Sequence, residues 1–349
     1  FSHRRCWPAL TSMADELSPI EIIAKGRWDN ALFTTYALSL TFFETHIIKN
    51  CLVKTGCRNI WVVADVDGYQ QSLAERQSAR VGQEYHLVPV ALSNGVFHPK
   101  CSYLSGPDGD LLMVSSGNLT FGGFGRNVEV IEMFHSRQNP GIFRQFAEFL
   151  QALDERKDFL NPDRRWISTF ADMAQKVGLA QAFVGPDLPR LIHCATESVF
   201  DQIRSVFNGS DGAARLKVLS PFYDAQAGAM QALAKEAKCS RLTIGLLPGR
   251  EDQSTFPFGV KPAGGLKLDA ALISDETDGR PLHAKWFEAD LNNGNRLTVT
   301  GSTNATAAIA TPAAIGAATA RGTRPCAGLT HAVSPPASST WWRRAMRRA

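Results

Sequence analysis

Two stretches of this 349-residue chain carry the same four polar residues at nearly the same spacing. His98-Pro99-Lys100 is followed by Ser116 and Asn118, and His283-Ala284-Lys285 by Ser302 and Asn304. The Ser lies 18 residues beyond the His in the first copy and 19 in the second, and the Asn lies 20 and 21 beyond. With 8 His and 12 Lys in the chain, chance supplies roughly 0.3 His-x-Lys triplets, so a single one would carry little weight. Two copies, each with Ser-x-Asn downstream, imply two similar half-sites meeting across a pseudo-two-fold axis. Together they offer two imidazoles, two ammoniums and four neutral polar groups to one anionic centre. Such a set is equipped for phosphodiester chemistry.

The elements around these residues alternate between strand and helix. Ala31 to Tyr36 reads as a buried strand, and Phe42 to Val53 as a helix ended by Gly56. Asn59 to Ala64 and Tyr85 to Val90 read as strands, with a helix expected over Tyr69 to Arg80 between them. Phe97 to Leu104 and Leu111 to Ser115 flank the turn Gly106-Pro107-Asp108-Gly109-Asp110. A strand over Asn127 to Phe134 and an amphipathic helix over Ile142 to Leu153 complete the first half. The second half replays this order. Strands at 216–219, 242–247 and 268–273, a helix over 225–237, and a hairpin from Leu282 to Thr300 are expected. The hairpin places His and Lys of each copy on one strand, with Ser and Asn just past the other. Alternate strand residues share a face, so each His–Lys pair points one way.

The motifs resemble those of the phospholipase D superfamily, H-x-K-x4-D followed by G-S-x-N, over roughly residues 25–310. His283, Lys285, Asp290, Gly301, Ser302 and Asn304 match in full. In the first copy Ser105 stands at the Asp position, with Asp108 and Asp110 close by, and Ser115 replaces the Gly. Glu129 matches an acid that the family places after its Asn; the family pattern would put a second Asn-x-Glu near residue 315, where the tail's sequence carries none.

The resemblance implies an α/β fold of two pseudo-symmetric repeats. Each is a mixed β-sheet flanked by helices, and the active site lies at their interface. It also implies a mechanism in which one His attacks phosphorus and the other serves as acid and then base. His98 is assigned as nucleophile and His283 as acid by analogy. Lys100, Lys285, Ser116, Asn118, Ser302 and Asn304 would hold the phosphoryl oxygens, with Glu129 and Asp290 in support. No metal or cofactor is implied. The expected activity is a metal-independent phosphodiesterase of the nuclease-like branch, acting on DNA or RNA and forming a phosphohistidine. A helicase or restriction system is a conceivable partner class within that branch. A catalytically impaired phosphate-binding module and a phospholipase or phosphatidyltransferase are the alternatives.

Composition bounds the rest. Seven Cys without a C-x-x-C pair fit a cytoplasmic chain better than a disulfide framework or zinc site. No apolar run reaches the 18 or so residues of a membrane span. The net charge of +4 is carried by the ends. Six Arg in residues 311–349 and two in 1–12, with no acid in either, leave −4 over residues 13–310. Asp65-Val66-Asp67 at a strand end has the form of a phosphatase D-x-D, but reads better as a polar turn. Gly122-Gly123-Phe124-Gly125 lacks a phosphate loop's Lys-Ser/Thr. His46, His86, His135 and His193 lack ligand spacing and are expected to be structural.

The expected organisation is an upstream segment (1–12), a first repeat (13–154), a connector (155–195), a second repeat (196–310) and a tail (311–349). Of the tail's 39 residues, 31 are Ala, Arg, Pro, Gly, Thr or Ser. That bias suggests sequence out of the ancestral reading frame, disordered and burying nothing.

Overall fold

The computed structural model describes residues 18–75, 79–179, 188–224, 226–246, 265–272, 280–310, 314–315 and 317–323. The expected segment 1–12, the end of the helix placed over Tyr69 to Arg80 and most of the tail fall wholly or partly outside them.

In the first half the strands are β1 (Asn30–Thr35), β2 (Asn59–Asp65), β3 (His86–Leu92), β4 (Val96–Phe97), β5 (Cys101–Ser105), β6 (Leu111–Ser115), β7 (Ile131–His135) and β8 (Phe159–Leu160). The second half adds β9 (Arg190–His193), β10 (Ala213–Leu219), β11 (Arg241–Leu246), β12 (Lys267–Leu272), β13 (Trp286–Leu291), β14 (Arg296–Gly301), β15 (Ala314–Ile315) and β16 (Ala317–Thr323). The first sheet runs β7-β6-β5-β1-β2-β3-β8 and the second β12-β11-β10-β13-β14-β16-β9. Written from the antiparallel end, β7-β6-β5-β1-β2-β3 repeats as β16-β14-β13-β10-β11-β12. In both, the first strand is parallel to its α/β neighbour and antiparallel to the hairpin. This is the duplicated mixed-sheet α/β fold expected from the motifs.

β1 and β2 are buried along nearly their whole length, as strands covered on both faces must be. Side-chain alternation splits them between two cores. Leu32, Trp61 and Val63 pack against helices Pro140–Glu155 and Arg165–Gly178 through Phe143, Phe146, Trp166 and Phe170. Ala31, Phe33, Ile60 and Val62 pack against Phe43, Ile47 and Leu52 on the opposite face. In the second sheet Leu216, Val218, Phe287 and Val299 meet helices Val199–Gly209 and Gly228–Glu236. Its other face carries cross-strand ion pairs. Lys217 Nζ lies 2.6 Å from Glu288, and Arg215 and Arg296 each lie 2.9 Å from Asp290.

Several expectations need correction. The helix after β1 runs from residue 40 to 55 and is π-helical over Phe43–Leu52, while Gly56 caps it at φ 84° as expected. The helix expected from Tyr69 begins earlier, at Val66, because Asp65 caps it by accepting from Asp67 N at 3.0 Å. The strand expected from Asn127 begins only at Ile131. Residues 98–100 and 283–285 lie just before β5 and β13 rather than within the hairpin strands. The segment read as connector is part of both sheets. It supplies β8, the helix Arg165–Gly178, and β9, whose Leu191 N donates to Gln145 Oε1 at 2.8 Å.

The largest correction concerns the tail, expected to be disordered. Residues 317–323 form β16, which pairs antiparallel with β14 from Gly301↔Ala318 to Arg296↔Thr323 and with β9 on its other side. Ala314 and Ile315 pair with Val96 and Phe97 of the first half. Ladder hydrogen bonds come from the backbone, so a run of Ala, Thr, Arg and Gly suffices where flanking strands are already in place. Among the described residues no helix is long and apolar enough to cross a membrane.

Ending the chain at residue 310 should therefore lower the melting temperature by several degrees, because β9 and β14 each lose a partner. An unchanged melt would show that β16 contributes nothing.

Candidate active site

The halves are joined by a crosswise exchange. Val128 of the first half donates to Pro281 O at 2.8 Å and accepts from His283 N at 3.0 Å. In return β15 of the second half lies parallel to β4, immediately before His98. Each His-x-Lys segment is thus held by the chain that follows the other half's Asn.

This exchange delivers Glu129 to the second half. Its Oε1 lies 2.8 Å from His283 Nδ1 and accepts from Asn127 Nδ2 at 3.2 Å. Its other oxygen accepts from Ser116 Oγ, which is fixed in turn by Val130 N at 2.9 Å. A carboxylate on Nδ1 sets the tautomer and aims the ring. Lys285 Nζ donates to His283 O at 2.7 Å and lies 3.1 and 3.2 Å from the two ring nitrogens. Lys100 sits on His98 in the same way, at 3.1 and 2.8 Å. Each ammonium therefore faces an imidazole ring rather than one nitrogen lone pair.

Among the described residues the second half returns no carboxylate to His98. Ser115↔Ile131 and Gly301↔Ala318 are equivalent register pairs, so the position matching Glu129 is Gly316. The Asn-x-Glu expected near residue 315 is absent. His98 instead hydrogen-bonds to the Ser302 backbone.

Two lysines are buried at this junction: Lys100 is 3% exposed and Lys285 1%. Burial, reinforced by Lys285, holds Lys100 well below the usual lysine range. Burial lowers Lys285 to about 7 against the opposing pull of Glu129. Burial, with Lys100, Lys285 and His283, also pushes His98 well below the usual imidazole range, so its ring is neutral. For Glu129 burial acts upward, but the hydrogen bond from His283, the charges of His283 and Lys285, and Ser116 outweigh it. That carboxyl is ionised. Two buried lysines held below their usual range, two imidazoles and one carboxylate make a site whose lysines a bound anion would recharge.

The Ser and Asn residues lie just past β6 and β14, as expected. Ser116 and Ser302 are fully buried. Asn118 Oδ1 accepts from Ala37 N at 3.2 Å and Thr35 Oγ1 at 3.4 Å, tying it to the end of β1. Gly117 and Gly123 permit this turn, since a Cβ on Gly117 would stand 2.3 Å from Gly123 O and one on Gly123 2.1 Å from Asn118 O. Within the 122–125 run it is Gly123 that packing requires.

Asp290 is not part of the cluster. It lies five residues along β13 from Lys285, about 16 Å at strand rise, and its oxygens are taken by Arg215 and Arg296. It stitches β10, β13 and β14 together. Asp65, by contrast, does matter to the site. Beyond capping its helix, its Oδ2 accepts from Phe97 N at 2.7 Å, fixing the residue before His98. The D-x-D spelling hid this role, because a capping Asp and a nucleophilic Asp look alike in sequence. His46 and His86 stack on Phe42 and Trp61, and His193 lies 5.1 Å from Phe149. Among the described residues no group of three His, Cys, Asp or Glu is placed to hold a metal.

No protein-family model and no curated protein matches this chain. Solved structures do. Yeast tyrosyl-DNA phosphodiesterase superposes with a TM-score of 0.57 at 10% identity, over 89% of this chain and 86% of that one. A histidine-to-alanine mutant of the same yeast enzyme gives 0.59 over the same shares. The chain thus shares the fold of that enzyme, a two-repeat α/β architecture as the motifs implied.

The buried lysines predict a pH signature. Unfolded, Lys285 keeps its proton to about 10.5, but folded only to about 7. The unfolded chain therefore binds more protons between these values, and stability rises with pH across that window. Lys285→Met removes the burden, so its melting temperature should exceed that of the unsubstituted chain by a few degrees at pH 7. The gain should shrink towards pH 10. A difference independent of pH would contradict the buried-cation account.

Proposed function

We propose that this chain is a phosphodiesterase that cleaves nucleic acid through a covalent phosphohistidine, without a metal ion. The observation that carries the reading is the junction of His98–Lys100 with His283–Lys285, tied across the halves by Glu129. A neutral, desolvated imidazole is a competent nucleophile, which suits His98. A ring braced by a carboxylate on Nδ1 can carry and return a proton at Nε2, which suits His283.

In the first step a His98 ring nitrogen bonds to phosphorus. The bond to the leaving oxygen breaks, and that oxygen takes a proton from His283. In the second step His283 removes a proton from water, the water oxygen bonds to phosphorus, and the phosphorus–nitrogen bond breaks. Lys100 and Lys285 neutralise charge on the non-bridging oxygens, with the Ser302 hydroxyl and the amides of Asn118 and Asn304 fixing their geometry, while Ser116 holds the Glu129 carboxylate. The two lysines do work that a divalent ion does elsewhere. The fold neighbour's name, a tyrosyl-DNA phosphodiesterase, supports nucleic acid as the substrate class. It offers no support for a helicase or restriction-system partner. Gly316 in place of a second acid favours the alternative of an impaired phosphate-binding module, which the same assays address.

Hydrolysis of oligonucleotides and of bis(p-nitrophenyl) phosphate should persist in EDTA, and loss on chelation with recovery in Mg²⁺ would refute the mechanism. On oligonucleotides His98→Ala and His283→Ala should each lower turnover by roughly 10³-fold or more, since nucleophile and acid act as a unit. Lys100→Ala and Lys285→Ala should each cost about 10²-fold.

p-Nitrophenolate leaves without a proton, so His283→Ala should still form the adduct yet fail to hydrolyse it. Mass spectrometry should find the p-nitrophenylphosphoryl group on His98. An adduct elsewhere, or none, would overturn the assignment.

A further inference from the structure

An exposed aromatic ring stands beside the acid–base imidazole. Phe222 is 43% exposed, and its ring centroid lies 6.2 Å from that of His283 at an interplanar angle of 81°. A single apolar side chain on a surface needs no explanation by itself. Its position and the pseudo-symmetry supply the argument.

The first half serves as the internal control. Leu119 N donates to Thr35 Oγ1 at 3.1 Å, and Ala305 N donates to Ser220 Oγ at 3.1 Å. Leu38 bridges Leu119 as Tyr223 bridges Ala305. Thr35 thus matches Ser220, and Ala37 matches Phe222. In the first half Ala37 N braces the motif amide, donating to Asn118 Oδ1 at 3.2 Å. In the second, Phe222 N turns to Ser220 Oγ at 3.3 Å instead. Asn304 Oδ1 is left buried without a partner. The loop forgoes a brace on a motif residue, and its tip carries a large exposed ring where the other half has a methyl group, that half's own ring, Tyr36, lying 5.4 Å from the His98 ring one position earlier.

Charge narrows the occupant. Residues 13–310 carry a net −4, so attraction for a phosphate backbone is not spread over the surface as in a broadly basic nucleic-acid binder. Affinity must come from the local cations and from contacts beside the phosphate. A ring at the rim of the cleft can receive the face of an unpaired base, and such stacking tolerates any base sequence.

We propose that Phe222 stacks a nucleobase adjoining the scissile phosphate, which makes single-stranded nucleic acid the substrate. The inference rests on the phosphodiesterase reading for where the phosphate sits.

The test compares Phe222→Ala and Phe222→Trp with the unsubstituted residue, on a single-stranded oligonucleotide and on an abasic oligonucleotide of equal length. Affinity is read by fluorescence anisotropy in a His98→Asn background, where no turnover intervenes, and kcat/KM is read in the otherwise unsubstituted chain. Phe222→Ala should weaken binding of the base-bearing strand about tenfold and leave the abasic strand within twofold. Phe222→Trp should restore the preference. Equal losses on both strands would mean that Phe222 only shapes the loop, and no loss on the base-bearing strand would mean that no base stacks there; either overturns the proposal. Anisotropy reads the stacking contact without catalysis. Base-dependent binding with no hydrolysis would refute the phosphodiesterase reading alone, whereas hydrolysis without base dependence would refute the stacking alone.

Discussion

The backbone exchange at Val128 and Leu282, mirrored by β15 on β4, is the constraint on which the site depends. Two α/β repeats could each fold around their own sheets and still leave the motifs apart. The exchange makes the segment after one Asn a support for the segment before the other His. Glu129 is carried across because it follows Val128, and the position of His283 is therefore set by the first half.

Once the halves are joined, the electrostatics follow. Lys100 and Lys285 are driven together out of water with one carboxylate, Glu129, acting on both. An arrangement of this kind costs stability in the free protein and is relieved by an anion. The duplication is also imperfect in a useful way. Glu129 braces His283, the sequence has no acid at the matching position of the second repeat, and two groups of common origin therefore sit in different environments. Equal half-sites would give the two imidazoles the same surroundings.

Much of this was legible from residue spacing. The doubled His-x-Lys and Ser-x-Asn pattern singled out the two histidines and two lysines that meet at the junction, because a strand-turn-strand unit of nearly fixed length separates each pair from its Ser and Asn. Glu129 was legible only by resemblance, since nothing in its local sequence reveals a partner 154 positions away. Asp290 matched the motif and yet serves the sheet. Motif spelling cannot distinguish a carboxylate at a cleft from one between two arginines. The π-helical stretch at Phe43–Leu52 kept an α-like apolar pattern, which hid its looser winding. The tail misled most. Its composition argued against structure, but β16 is specified by the open edges of β14 and β9 rather than by its own side chains.

The central claim is that the two half-sites form one anion site whose buried lysines await charge. Calorimetric titration with orthovanadate at pH 8, repeated in two buffers of different ionisation enthalpy, tests it directly. One vanadate should bind per chain, with net proton uptake as the lysines regain their charge. Lys100→Ala and Lys285→Ala should each abolish that single event. Two independent binding events per chain, or one event that survives loss of either lysine and takes up no proton, would contradict the account.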